Sequence, residues 1–140
     1  MSKPVIVTNN EVLAAIRGAD LISAKENKFP ALFTLKLARI MSKLRKEAKL
    51  IGEARDVILA DFTKYEGEGD DRKAVEAKNE KGEFVPNTVE LTDPKAFMTA
   101  ERKLLDATVE LTLPLFVDKD FEGLELPTLT METLLPFVDA

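Results

Sequence analysis

The chain has 140 residues, 45% hydrophobic and 32% charged, with 20 Lys and Arg against 25 Asp and Glu and no Cys, His or Trp. A globular chain of this length buries enough surface to hold a core without a disulfide or metal staple. The absence of Cys and His excludes Ser-His-Asp and Cys-His nucleophilic catalysis, redox thiols, and zinc sites built from thiolate or imidazole.

The charge is segregated. Residues 1–64 carry 12 Lys and Arg against 7 Asp and Glu, whereas residues 65–140 carry 8 against 18. Such polarity reflects either a basic helix lying beside an acidic half of the same fold or a face that meets an oppositely charged partner. No apolar run approaches the roughly 20 residues that span a bilayer, and the N-terminus carries no basic region followed by an apolar signal core, so the expected setting is cytoplasmic with no membrane partner.

In chain order, Pro4 to Thr8 is a β-branched run that predicts a short strand, followed by Thr8, Asn9 and Asn10, which offer N-cap chemistry. A first helix is predicted from about Glu11 to Ser23, with Val12, Ala15, Ile16, Ala19 and Ile22 on one face and Gly18 weakening it. Lys25 to Phe29 forms a link, and Pro30 is placed to open the next helix. From there to about Tyr65, Leu37, Leu44, Ile51, Ile58 and Tyr65 recur every seven residues, flanked by Phe33, Ile40, Met41, Ala48 and Phe62. This predicts a long amphipathic helix of roughly 50 Å, one face of which is the spine of the core. A break at Gly52 is compatible with the pattern. The same stripe would let two copies pair through the long helix, although Glu47 and Asp61 interrupt the alternate seam positions of a coiled coil.

Glu66 to Asp71 reads as a flexible acidic loop, extending to about residue 73. Ala74 to Lys78 and Glu83 to Val85 read as arms of a hairpin turned by Asn79-Glu80-Lys81-Gly82, with Thr88 to Leu91 prolonging the second arm to about residue 92. Thr92-Asp93-Pro94 starts a helix to about Ala107. Val109, Leu111 and Leu113 then alternate with Thr108, Glu110 and Thr112, the pattern of a half-buried strand that Pro114 ends. Leu115 to Glu125 is an acidic connection, and Thr128 or Thr130 caps a last helix from Met131 to Leu135. The expected class is α+β and helix-dominated. One long amphipathic helix packs with shorter helices and a small antiparallel sheet or hairpin, in a single domain over residues 1–140.

Candidate sites are few. Asp118, Asp120, Glu122 and Gly123 echo the start of a calcium loop, but its twelfth position is Leu129, where a bidentate acid is needed. Glu66, Glu68, Asp70 and Asp71 make at most a loose cation site, and no metal or other cofactor is expected. Gly67 and Gly69 lie among acids, the wrong sign for a phosphate cradle. Many carboxylates are present, but no spacing isolates an acid–base pair, so the reading is non-enzymatic. Lys36, Arg39, Lys43 and Lys46 form a basic stripe away from the apolar face, with Arg45 and Lys49 nearby, and are the candidate partner-binding residues. The net charge of −5 and the lack of interleaved aromatics argue against nucleic acid as that partner, and the acidic half is weakly charged for a DNA mimic.

Several stretches carry a resemblance to a family. They are Phe29-Pro30-Ala31-Leu32 running into Leu35-Lys36-Leu37-Ala38-Arg39-Ile40, the charged helix to Tyr65, and the Gly-containing hairpin at Asn79 to Phe84. To these are added Phe97 through Glu101 to Leu104-Leu105-Asp106 with Val109-Glu110-Leu111, and the Leu-rich segment Leu124 to Leu135. Together they resemble a family of small bacteriophage accessory proteins of uncharacterised function. The resemblance implies phage origin and expression in the bacterial host cytoplasm, and it transfers no catalytic residue. The expected role is to bind and modulate a host protein, in takeover or anti-defence. The alternatives are an assembly or virion protein and a nucleic-acid-binding or DNA-mimic protein.

Overall fold

A computed structural model describes residues 2–23, 29–86 and 88–139. The predicted link at Lys25 to Phe29 lies outside these except for Phe29, as does Asn87 in the second hairpin arm. The chain divides into two compact units, one formed by Met1–Ile51 with Leu105–Ala140 and the other by Gly52–Leu104. The class is α+β and dominated by helix, as expected.

In the first unit, strand β1 (Lys3–Thr8) leads directly into helix α1 (Asn9–Ser23). A reciprocal cap joins them: the Glu11 N–H donates to Thr8 Oγ1 at 3.0 Å and the Thr8 N–H donates to Glu11 Oε1 at 2.9 Å, satisfying two donors that a helix start otherwise leaves open. Strand β4 (Thr108–Leu113) pairs antiparallel with β1, Val5 opposite Leu111 and Val7 opposite Val109. Strand alternation puts Val7 and Leu113 on the buried side and leaves Ile6 in solvent. Helix α4 (Thr128–Leu134) packs against α1. It starts three residues earlier than expected, and neither threonine caps it. Pro127 occupies the cap position, and Thr130 is buried with its hydroxyl donating to the Gly18 carbonyl at 2.8 Å.

Helix α2 (Ala31–Phe62) is unbroken through Gly52, where an added Cβ would touch nothing within 4 Å. Within the first unit, Phe33, Leu37, Ile40, Met41, Leu44 and Ile51 are buried, so the seven-residue stripe is core. The stripe fades beyond that, since Ile58 is half-buried and Tyr65 lies outside the helix. The Thr63 hydroxyl donates to the Leu59 carbonyl and Thr92 N–H to the Phe62 carbonyl, closing the helix end three residues before the predicted limit.

Leu115 to Glu125 is more than a connection. Phe116 is fully buried and bridges in parallel to Val138, and Asp118–Phe121 forms a 3-10 turn. Phe33 stacks on Phe116 at 5.4 Å, and Phe121 lies 5.1 Å from Phe116. Phe137, in a terminal segment that shows no pattern by itself, is also fully buried. The aromatic corner thus closes the core with residues from three separate stretches.

In the second unit, Tyr65–Glu66 (β2) pairs with Lys73–Ala74 (β3), so the acidic segment between them is the exposed tip of a short ladder. The Arg72 guanidinium lies 3.9 Å over the Tyr65 ring, a cation–π contact that sequence spacing alone did not suggest. The second hairpin forms at its predicted turn. Asn79 Oδ1 accepts the N–H groups of Lys81 and Glu83 at 2.9 and 3.0 Å, and Gly82 has φ +79°, the side-chain turn chemistry expected of Asn and the left-handed backbone that favours Gly. Its ladder is shorter than expected, a bridge of Lys78 to Phe84. Helix α3 (Pro94–Asp106) is capped by Asp93, whose Oδ1 accepts the Ala96 N–H at 3.1 Å.

Candidate functional site

The basic stripe lies on α2, and the structure divides its four members into two kinds. Lys36 reaches sideways: its Nζ is 2.7 Å from Asp120 Oδ2, joining α2 to the 3-10 turn. Asp120 also accepts the Val117 N–H at 2.8 Å. Burial pushes the Asp120 carboxyl upward, but the Lys36 hydrogen bond, the Val117 N–H and the Lys36 charge outweigh it and hold the group below the ordinary aspartate value. Lys43 donates to the Thr112 carbonyl at 2.5 Å, covering an edge of β4. Both lysines are thus occupied by the fold.

Arg39 and Lys46 are exposed, and no ion pair engages either among the described residues. The nearby Arg45 is paired with Asp20 at 2.7 Å. The free cations of the stripe are therefore Arg39 and Lys46, separated by seven residues and roughly 10 Å along the axis.

Sequence reasoning missed the leucines among them. Leu32 is 81% exposed, Leu35 47% and Leu50 57%. At about 100° per residue, Leu32, Leu35, Arg39, Lys43, Lys46 and Leu50 fall within an arc of roughly 80°. The available signal was a second seven-residue spacing, Leu32-Arg39-Lys46 and Lys43-Leu50, on the side opposite the core heptad. Three leucines in water on one helix face are apolar surface that the fold itself leaves uncovered. Near its N-terminal end the face dips into a concavity of about 230 Å³, lined by Leu32, Leu35, Lys36, Arg39, Pro114 and Asp120. Behind it, Phe33 and the Phe116–Phe121 pair fix the position of the first turns.

The acidic segments do different work. Asp120 is tied to Lys36 and Val117, which removes it from the set of ligands a calcium loop would need. Glu66, Glu68, Asp70 and Asp71 are all exposed. Among the described residues, no group of three or more carboxylates is close enough to hold a metal ion. Among the described residues, no helix is long and apolar enough to cross a membrane.

No protein-family model, curated protein or solved structure matches the chain.

Proposed function

We propose that the protein is a non-catalytic bacteriophage accessory protein that works in the host cytoplasm by binding and modulating a host protein. The observation that carries this reading is the outer face of α2, where Arg39 and Lys46 stand free between exposed leucines. Arginine is enriched at protein-binding surfaces, and exposed apolar side chains beside it are area that a partner can cover. Unpaired cations beside them favour an acidic partner and speed its association. The lack of His and Cys leaves acid–base chemistry to scattered carboxylates, which supports binding over catalysis.

Affinity capture of the tagged protein from phage-infected bacteria tests the proposal, with Arg39→Glu/Lys46→Glu run beside the wild type. One host protein at fixed stoichiometry, lost in the variant, is the expected result. Capture of phage structural proteins, or presence of the protein in purified virions, would move the assignment to assembly. Retention on nucleic acid at low salt would move it to nucleic-acid binding, because phosphate contacts are strongest there.

A further inference from the structure

The outer face of α2 has an order along its length that says more about its occupant than exposure does. Leu32 and Leu35 stand at one end, Arg39, Lys43 and Lys46 in the middle, and Leu50 at the other end, with Leu32 and Leu50 roughly 27 Å apart. The face is unbroken, because α2 is a continuous helix across this span. Two copies of it cannot pair well. An antiparallel arrangement that brings Leu32 and Leu35 against the other copy's Leu50 also sets Arg39 opposite Lys43, and a parallel arrangement sets each cation against itself. Like charges directly opposed at a helix interface are destabilising.

We propose that this face docks an amphipathic helix of a partner protein, with large apolar residues at both ends of its contact stripe and two or three carboxylates between them. The inference rests on the reading of α2 as a binding face and adds the chemical class of its occupant. The partner's carboxylates meet Arg39 and Lys46, seven residues apart, so they recur on one helical face at three-, four- or seven-residue steps. One of its apolar end residues enters the concavity lined by Leu32, Leu35 and Pro114 together with Arg39 and the Lys36–Asp120 pair. Lys43 contributes less, because its Nζ is already taken by the Thr112 carbonyl. A phosphate backbone would use the cations but leave Leu32, Leu35 and Leu50 uncovered, so nucleic acid is the poorer fit.

The test uses the full chain and a fluorescent synthetic helix of about 21 residues with Leu at both ends of its contact face and three Glu between them. A control peptide has the same composition with the Glu residues moved to the opposite face. Fluorescence anisotropy at 50 and 300 mM salt gives the affinities. Saturable binding of the designed peptide is expected, at least tenfold tighter than the control and weaker at high salt. Leu32→Ser and Arg39→Glu are each expected to weaken it about tenfold, the size of effect that interface anchors carry. Equal binding of both peptides, no binding of either, or binding unaffected by Leu32→Ser would overturn the inference. If neither peptide binds while Arg39→Glu/Lys46→Glu still abolishes capture of a cellular partner, the helix-docking inference fails and the binding face stands.

Discussion

Gly18 sits in the middle of α1, where glycine disfavours helix, yet the structure gives it a reason. It is buried where α1 crosses α4, and a Cβ at this position would fall 2.0 Å from Thr133 Oγ1, 3.2 Å from Thr133 Cβ and 3.3 Å from Thr130 Cα. The Thr133 hydroxyl can rotate away, but the other two atoms cannot without moving α4. Gly18→Ala therefore sets three effects against one another. Overpacking costs about 2 kcal/mol, and stretching the Thr130 hydroxyl bond to the Gly18 carbonyl costs about 1 kcal/mol. The gain in helix propensity returns about 1 kcal/mol. The expected net loss is about 2 kcal/mol, read as a lower urea midpoint at unchanged slope. Gly52→Ala is the matched control, since nothing lies within 4 Å of its added Cβ, and it should raise stability by about 0.5 to 1 kcal/mol. The same substitution thus changes sign with its surroundings. A stabilised Gly18→Ala would refute the close packing of α1 on α4.

Three further outcomes follow from the same packing. Leu44→Asp places an unpaired carboxylate at a fully buried position of α2; because such a group costs several kcal/mol against a total stability of about 5 to 15 kcal/mol, the variant should aggregate or lose its far-ultraviolet circular dichroism, and a soluble, fully helical variant would show that the stripe is not core. Lys36→Glu should destabilise the chain in denaturant because it sets a second carboxylate beside Asp120, whereas exposed Arg39→Glu should stay within about 0.5 kcal/mol of wild type; equal effects would mean that the Lys36–Asp120 pair contributes nothing. Because the folded-state pKa of Asp120 is depressed, its contribution to stability is present above the unfolded aspartate value of about 3.9 and is lost as pH falls through the lower folded value. Urea midpoints of wild type and Asp120→Asn measured from pH 6 down to pH 2 should therefore converge at the acid end, and a constant difference would contradict the depressed value.

Much of the fold was legible because local chemistry and tertiary structure agree. Thr8 is among the residues offering cap chemistry and caps α1, which starts two residues earlier than expected; Asp93 carries a helix cap, Asn79 and Gly82 a turn, and residues 108–113 a strand alternation, and these form where the residues place them. What escaped depends on contacts distant in sequence. Phe116 and Phe137 are isolated aromatics in irregular segments, and what makes them core is the pairing of those two segments and the stacking of Phe116 on Phe33. Thr130 has the composition of a cap but finds a better partner in the Gly18 carbonyl, 112 residues away. The basic stripe was visible as spacing. Its division into occupied Lys36 and Lys43 and free Arg39 and Lys46 was not, because their partners Asp120 and Thr112 are brought in by β4 and the turn that follows it.

The central claim is that the outer face of α2 is where a partner binds. It is tested most directly by placing a photo-crosslinking amino acid at position 46 and, in a separate variant, at position 6, since Ile6 is 69% exposed on the solvent side of β1. Irradiation in cells that express the protein should join a single partner to it through position 46 and none through position 6. Crosslinking at position 6 with none at position 46 would place the interface on the sheet and contradict the account.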